Sequence, residues 1–390
     1  MSFSFQNNIP LSLYVHIPWC VKKCPYCDFN SHEKNHTFDE QAYIDALLLD
    51  LENEYKICRQ RELGSIFFGG GTPSLFSAES IQKIIARARQ LFKADAIEIT
   101  LEANPGTLER EKFDAFHNAG INRLSIGVQS FNDVHLNELG RIHDKQQAFD
   151  AIETAKAVGF NNINLDLMFG LPQQTTKQAV NDITIACDFD VPHISHYQLT
   201  IEENTCFHKY QPVLPVSDAI WQMQTHCQKL LAEKNYQQYE VSAYARTGKQ
   251  CKHNRNYWLF GDYIGIGAGA HGKLTEQIDE TGAVRIVRRW KYRQPRQYIQ
   301  QTADGNALSG QQVLAQQDII FEFLLNALRL KTGCDIATFE QRTGKTYRQL
   351  REALINVDTG LLAVDKNRVA ASDKGFLFLN TVLENLSGES

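Results

Sequence analysis

Three cysteines within eight residues are the feature of this chain most directly tied to chemistry. They form the pattern Cys20-x3-Cys24-x2-Cys27, shortly after an apolar run. Three thiolates on one tight loop can each bind one iron of a cubane cluster, which leaves the fourth iron without a protein ligand. A cluster that only carries electrons would have a fourth cysteine nearby, but the residue two positions after Cys27 is Phe29. The pattern therefore predicts a [4Fe–4S] cluster with one open iron, where a substrate can bind.

A zinc site, a disulfide framework and a redox dithiol are the alternatives for these cysteines. A zinc site needs a second pair with ligand spacing, and the other cysteines are isolated in sequence: Cys58, Cys187, Cys206, Cys227, Cys251 and Cys334. The odd total of nine argues against a disulfide framework. A redox dithiol in Cys24-Pro-Tyr-Cys27 is the strongest alternative, but it does not account for Cys20.

The composition is that of an ordinary globular chain. Of 390 residues, 43% are hydrophobic and 22% are charged, and the net charge of −5 provides no basic field for nucleic acid. No apolar run approaches the ~18 residues that span a bilayer, and the first residues lack the features of a secretory signal. Unpaired cysteines and an oxygen-sensitive cluster motif then predict a cytoplasmic protein.

Six short strands alternate with helical patterns along the first half of the chain. The strands are predicted at Leu11–Ile17, Ser65–Phe68, Ala96–Leu101, Arg123–Val128, Asn162–Phe169 and Ile194–Leu199. The helices are predicted at Asp39–Ile57, Ala78–Leu91, Leu108–Asn118, Lys145–Val158 and Thr176–Cys187. This alternation predicts βαβ units around a parallel sheet, with too few units for an eightfold barrel. We expect an α/β fold, an open partial (β/α)6 barrel over residues 1–215.

The remainder divides into two regions by its patterns. Residues 216–305 mix helix and strand around Gly265–Ala270. Residues 306–390 are mainly helical and end in two short strands, Leu361–Ala363 and Val369–Ala371. Neither boundary is marked by a flexible linker.

Polar residues follow successive strands of the predicted barrel, where parallel α/β folds place their chemistry. Glu102 and Gln129 end two strands, Arg141 follows the second of them, and Asp166 lies in the next. A carboxylate can accept hydrogen bonds from ribose hydroxyls, and an arginine can bind both oxygens of a carboxylate. The glycine-rich segment Gly69–Ser74 follows a buried strand, where a ligand can approach the backbone closely.

This set of motifs resembles the radical S-adenosylmethionine (SAM) superfamily. The resemblance implies that the open iron binds the amino and carboxylate groups of SAM. It also implies a GGE-like backbone site for the SAM amino group, formed here by Gly70, Gly71 and Thr72. The other implied SAM contacts match those of the coproporphyrinogen III dehydrogenase HemN: Tyr14, Tyr26, Glu102, Gln129, Arg141 and Asp166. The C-terminal region resembles the winged-helix-like domain attached to this family.

Two departures from HemN favour the related HemW group, which are haem chaperones. HemN has a further cysteine where this chain has Phe29, and HemN has a longer N-terminal segment. The motif His253-Asn-Arg-Asn-Tyr257-Trp258 matches the HemW group's H-N-x-x-Y-W. It offers an imidazole as an axial iron ligand and two rings that can pack on a porphyrin. Cys251 is an alternative iron ligand.

The resemblance implies a haem chaperone that holds a SAM-ligated [4Fe–4S] cluster and transfers haem to an acceptor protein. The alternative is a radical enzyme of porphyrin biosynthesis, which would cleave SAM and decarboxylate the propionate side chains of coproporphyrinogen III. Phe29 and the motif at His253 favour the chaperone without that activity. The implied partners are haem, the acceptor, an electron donor if SAM is cleaved, and a second copy of the chain in a homodimer.

Overall fold

A computed structural model describes residues 4–387 of the chain, except 6–8, 35–37, 59, 108–109, 279–283, 356 and 359. Among these residues, no helix is both long and apolar enough to cross a bilayer.

The six predicted barrel strands are present and pair in parallel. They are β1 (Leu11–Ile17), β2 (Leu63–Gly70), β3 (Glu98–Ala103), β4 (Arg123–Gln129), β5 (Ile163–Phe169) and β6 (His193–Gln198). Each pairs with the next in sequence, from β1–β2 to β5–β6. Most of their residues are buried, as expected for a parallel sheet with both faces covered. The predicted partial (β/α)6 barrel is confirmed.

Helices connect the strands across the outside of the barrel. They are α1 (Glu40–Ile57), α2 (Ala78–Phe92), α3 (Arg110–Asn118), α4 (Asp133–Glu138), α5 (Lys145–Val158) and α6 (Thr176–Asp188). Capping boxes begin α5 and α6, and Gly159 ends α5 with φ +107°. These local signals explain why the predicted bounds agree closely. The short α4 was not predicted, and residues 108–109 of the predicted third helix lie outside the described residues.

The region that follows extends the same sheet at both edges. Its elements are α7 (Cys206–Lys209), α8 (Ser217–Glu233), β7 (Gln237–Glu240), β8 (Ala243–Ala245), α9 (Lys252–Trp258), β9 (Asp262–Ile266), β10 (His271–Gln277), β11 (Val284–Lys291), α10 (Pro295–Ala303) and β12 (Leu308–Val313). The sheet order is β7-β8-β6-β5-β4-β3-β2-β1-β9-β10-β11-β12. β9 pairs in parallel with β1, and the outer strands are antiparallel. Because β12 pairs with β11, the sheet continues past the boundary predicted at residue 305.

The C-terminal region has its own hydrophobic core. It contains α11 (Ile319–Ala327), β13 (Cys334–Asp335), α12 (Ile336–Thr343), α13 (Tyr347–Ala353), β14 (Leu362–Val364), β15 (Arg368–Ala371), α14 (Asp373–Leu377) and α15 (Leu379–Ser387). The three short strands form an antiparallel sheet beside the helices, as the predicted winged-helix-like unit requires. Its core includes Phe260 and Ile286, so it packs directly on the sheet extension.

A buried ionic network joins the extension to the barrel. On α1, Asp50 and Glu54 face β11, where Lys291 Nζ lies 2.5 Å from Asp50 Oδ1 and 2.6 Å from Glu54 Oε1. Arg289 also pairs with Glu54, and the Tyr298 hydroxyl donates to Asp50 at 2.8 Å. Because all four charged groups are buried, each depends on its partners for compensation of lost hydration.

Candidate cofactor site

The three motif cysteines lie on one loop at the mouth of the barrel. A turn closes between them, in which the Cys27 amide donates to the Cys24 carbonyl at 3.1 Å. All three thiols are unpaired and line a single cavity. Desolvation, followed by the nearby Cys27 and Cys24, raises the pKa of Cys20 to about 11. The Cys20 thiol is therefore protonated until a metal displaces its proton.

The cavity is about 420 Å³ in volume and collects residues from the ends of successive strands. All but one of the residues predicted to contact SAM line it together with the cysteines: Tyr26, Gly70, Gly71, Thr72, Glu102, Gln129, Arg141 and Asp166. The exception is Tyr14. The strand-end pattern in the sequence thus corresponds to one physical site. Gln129 adopts φ +67°, an uncommon conformation for a residue other than glycine.

The glycine-rich segment fixes the cysteine loop to the barrel. The Gly71 amide donates to the Ile17 carbonyl, and the Thr72 amide donates to the Trp19 carbonyl, each at 2.7 Å. A Cβ atom at Gly71 would lie 2.4 Å from the Trp19 carbonyl oxygen, so only glycine fits there. Gly70 has φ +114° and stands against the ring of His16. These glycines permit the close approach of two backbone segments beside the first cysteine.

Arg141 is held between the cysteine loop and the strand ends. Its Nη2 atom donates to the Gly127 carbonyl at 2.9 Å and to the Asn104 side chain, and Nη1 lies 3.5 Å from the Cys24 sulfur. Asn104 also donates to the Thr72 hydroxyl at 2.9 Å. Asn104 was not among the predicted site residues, although it lies two residues after Glu102, where strand side chains share a face.

Two carboxyl groups face the cavity from β3 and β5, the strands on either side of β4. Asp166 accepts hydrogen bonds from Ser125 and Asn164, each at 2.9 Å. Glu102 accepts one from the Gly70 amide at 3.2 Å. Desolvation first, and the nearby Asp166 second, raise the pKa of Glu102 from 4.5 to about 8. Desolvation also raises the pKa of Asp166. Hydrogen-bond donors from a ligand would compensate both carboxyl groups for the hydration that they lose on burial.

The cavity's residues fit a cluster with a bound polar ligand. Three unpaired thiols supply soft ligands for iron, and the carboxyl groups and Arg141 supply acceptors and a cation beside them. Within the described part of the chain, no three His, Cys, Asp or Glu side chains converge as they would on a single metal ion. A cubane cluster does not require such convergence, because each thiolate binds a separate iron.

Replacing Glu102 with glutamine is expected to weaken SAM binding and to stabilise the fold at high pH. Above about pH 8, where Glu102 is ionised, the amide cannot offer the charged acceptor, so affinity should fall about tenfold or more. In the wild-type protein, affinity should rise with pH up to about 8, where Glu102 ionises. Isothermal titration calorimetry at several pH values measures the affinity for SAM and its pH dependence, which the glutamine variant should lose.

The stability effect has the opposite sign. Between pH 4.5 and about 8 the folded state keeps a proton on Glu102 that the unfolded state has lost, so stability falls as pH rises. Above this window the glutamine variant should be more stable by about 1 kcal/mol or more. The exposed Glu62→Gln is the matched control. Equal SAM affinity in Glu102→Gln and wild type at every pH would remove Glu102 from the site.

A second cavity adjoins the first. It is about 410 Å³ in volume and shares Phe29, Gly70 and Glu102 with the first cavity. Tyr14 and Tyr257 line this second cavity. The contact predicted between Tyr14 and SAM therefore stays a prediction. This cavity was not predicted from the sequence, because its walls come from segments far apart in the chain.

The structure places the other members of the H-N-x-x-Y-W motif away from both cavities' lining. His253 is 1% exposed; its Nδ1 atom lies 2.9 Å from the Ser65 hydroxyl and its Nε2 atom 3.1 Å from the Tyr257 hydroxyl. Desolvation lowers the pKa of His253 to about 3. The Arg329 guanidinium packs over Trp258, with its Cζ atom 4.3 Å from the centroid of the Trp258 ring. The haem contacts predicted for His253 and Trp258 would require these groups to move.

Cys251, the alternative iron ligand, is also enclosed. Its thiol lies 3.6 Å from Glu98 Oε1, and only 1% of the residue is exposed. Desolvation raises its pKa to about 11, which disfavours the thiolate that would bind iron.

Comparison with known proteins finds the radical SAM superfamily over residues 14–184 and the HemN C-terminal domain over residues 314–378. Among curated proteins, the chain is similar to proteins named "Heme chaperone HemW". That of Haemophilus influenzae is 46% identical, covering 96% of this chain and 97% of the relative. That of Escherichia coli is also 46% identical, with the same coverage of both chains.

Among solved structures, the chain is similar to coproporphyrinogen III oxidase (HemN) from Escherichia coli, a radical SAM enzyme. The TM-score is 0.81, with 98% of this chain and 91% of that chain covered. At 24% identity, this similarity shows a shared fold.

Proposed function

This chain belongs to the HemW family of the radical SAM superfamily, and we propose that it is a haem chaperone that passes haem to an acceptor protein. The observation that carries the proposal is the adjacency of two cavities. One is lined by the motif cysteines, and the other is lined by Tyr257 of the H-N-x-x-Y-W motif. We propose that the chaperone works in the cytoplasm, where a reducing environment suits its free thiols.

In this proposal the first cavity holds the cofactors. Cys20, Cys24 and Cys27 bind a [4Fe–4S] cluster, whose open iron provides a coordination position for the amino and carboxylate groups of SAM. Glu102 and Asp166 accept hydrogen bonds from SAM, and Arg141 holds the carboxylate of SAM beside Cys24. Tyr26 lies against the adenine, while the backbone at Gly70, Gly71 and Thr72 binds the amino group.

The second cavity receives haem. The ring centroids of Tyr257 and Tyr263 are 4.4 Å apart and the ring planes are nearly perpendicular. Together the two rings give an aromatic wall for a porphyrin. His253 supports this wall by hydrogen bonding to the Tyr257 hydroxyl. Phe29, which is 58% exposed, lies between the two cavities. An exposed rim of this kind suits a ligand that has to be released to another protein.

The proposal predicts saturable haem binding by the anaerobically reconstituted protein. Titration should give a Soret band, and a haem-free globin added afterwards should acquire the haem. Replacing Tyr257 with alanine should weaken haem affinity about two- to tenfold, since each ring contact contributes roughly 0.5–1.5 kcal/mol beyond burial. The exposed Tyr210→Ala is the matched control and should bind as the wild type does.

The same preparation distinguishes the radical enzyme. Incubation with SAM, a reductant and coproporphyrinogen III should release no carbon dioxide. Decarboxylation by a wild-type protein that shows no saturable haem binding would replace the chaperone with the dehydrogenase.

A further inference from the structure

The haem-binding role proposed above leaves the iron ligand unassigned, and the structure points to a different histidine from the one in the motif. We propose that His271 supplies the axial imidazole for haem iron in the second cavity, with Arg293 pairing with a propionate. The inference rests on the proposed function, and it names the ligand atoms of that site.

Only two histidines line the second cavity, as far as the structure describes its walls, and they differ in availability. His16 is 5% exposed, and both ring nitrogens are engaged: Nδ1 with the Tyr14 hydroxyl at 3.0 Å and Nε2 with the Asn30 carbonyl at 2.9 Å. His271 begins β10 and is exposed. Among the described residues, its ring nitrogens have no hydrogen-bond partner. His271 can therefore offer a nitrogen to iron without losing an existing contact.

The surroundings of His271 suit a porphyrin with anionic side chains. Arg293 lines the same cavity and is exposed, and no carboxylate in the described part of the chain forms an ion pair with it. A guanidinium in this state can bind a propionate with two hydrogen bonds. Tyr257 on α9 and Tyr263 on β9 line the same cavity and provide its aromatic wall.

The protonation state of His271 agrees with this geometry. Desolvation, followed by the charges of Arg288 and Arg293, lowers its pKa below the ordinary value. The imidazole is consequently neutral at physiological pH, which is the form that binds a metal.

The cysteine loop is fixed to the rim of this site. The Asn30 side-chain amide donates to the Ala268 carbonyl at 2.9 Å and to the Arg293 carbonyl at 2.8 Å. Asn30 directly follows Phe29, which lines both cavities. A haem bound to His271 would thus lie beside the SAM cavity, separated from it by Phe29, Gly70 and Glu102.

Ferric haem titration of the reconstituted His271→Ala variant tests this assignment. We expect a shifted Soret maximum, a changed ferric haem signal in electron paramagnetic resonance, and an affinity at least about tenfold weaker, since even outer-shell partners of metal ligands contribute 10- to 100-fold. Added imidazole should restore the wild-type spectrum. His226→Ala is the matched control, because His226 is exposed on α8 away from the site.

The outcomes separate this inference from the chaperone proposal. Wild-type protein without saturable haem binding would overturn both. A second result would overturn only the assignment of His271. In that result, His271→Ala binds haem as the wild type does, and the iron signal changes in His253→Gln instead. If His271→Ala loses its cluster and fold, His271→Tyr decides: a high-spin phenolate spectrum supports the assignment, and a wild-type spectrum overturns it.

Discussion

Replacing any one of Cys20, Cys24 or Cys27 with alanine is expected to abolish the iron–sulfur absorption at about 400 nm. Each thiolate binds a different iron in the proposed cluster, so no other ligand can compensate for its loss. SAM binding should be lost with the cluster, because the open iron is its main anchor. Anaerobic reconstitution followed by absorption spectroscopy and iron analysis measures the first effect, and calorimetry measures the second.

Cysteines elsewhere in the fold provide the controls. Cys58 and Cys227 are fully buried in the main hydrophobic core, away from the cavity of the motif cysteines. Their replacement by serine should change stability but leave iron content and absorption intact. Loss of the cluster in Cys58→Ser or Cys227→Ser, together with its retention in all three motif variants, would contradict the ligand assignment.

The barrel and the cysteine cavity could be predicted because local signals carry them. β-branched strands, capping boxes and Gly159 set the elements, and the parallel pairing then brings the strand ends together. Residues such as Glu102 and Asp166 converge as a geometric consequence of this topology. The cysteine loop needed no long-range information, since its three ligands lie within eight residues.

The second cavity could not be predicted in the same way. Its walls combine β1, the residues after Cys27, α9 and the loop before β10, which meet only after the sheet extends past β1. That extension includes buried ion pairs between segments far apart in the chain, in which Asp262 pairs with Arg61 and with Lys273. The sequence motif predicted His253 as the iron ligand. Its burial and hydrogen bonds depend on contacts between distant segments and could not be read from the sequence.

The ionic network between α1 and β11 is expected to have the largest effect on stability. Replacing Lys291 with methionine removes the cation that neutralises both Asp50 and Glu54, although Arg289 still pairs with Glu54. Removing one partner from a buried pair costs about 3–5 kcal/mol, because the remaining charge has neither water nor a counterion. Urea denaturation of wild type and variant at one pH measures the difference in free energy of unfolding.

Lys83→Met is the matched control, since Lys83 pairs with Glu79 on the exposed face of α2 and the side chains are 43% and 77% exposed. It should change stability by no more than about 0.5 kcal/mol. The double variant Asp50→Leu/Lys291→Met should recover part of the loss of Lys291→Met, because it removes the unpaired carboxylate as well as the cation. Equal stability losses in Lys291→Met and Lys83→Met would mean that water reaches Asp50 and Glu54. In that case the extension that carries His271 would be held to the barrel by apolar packing and strand pairing alone.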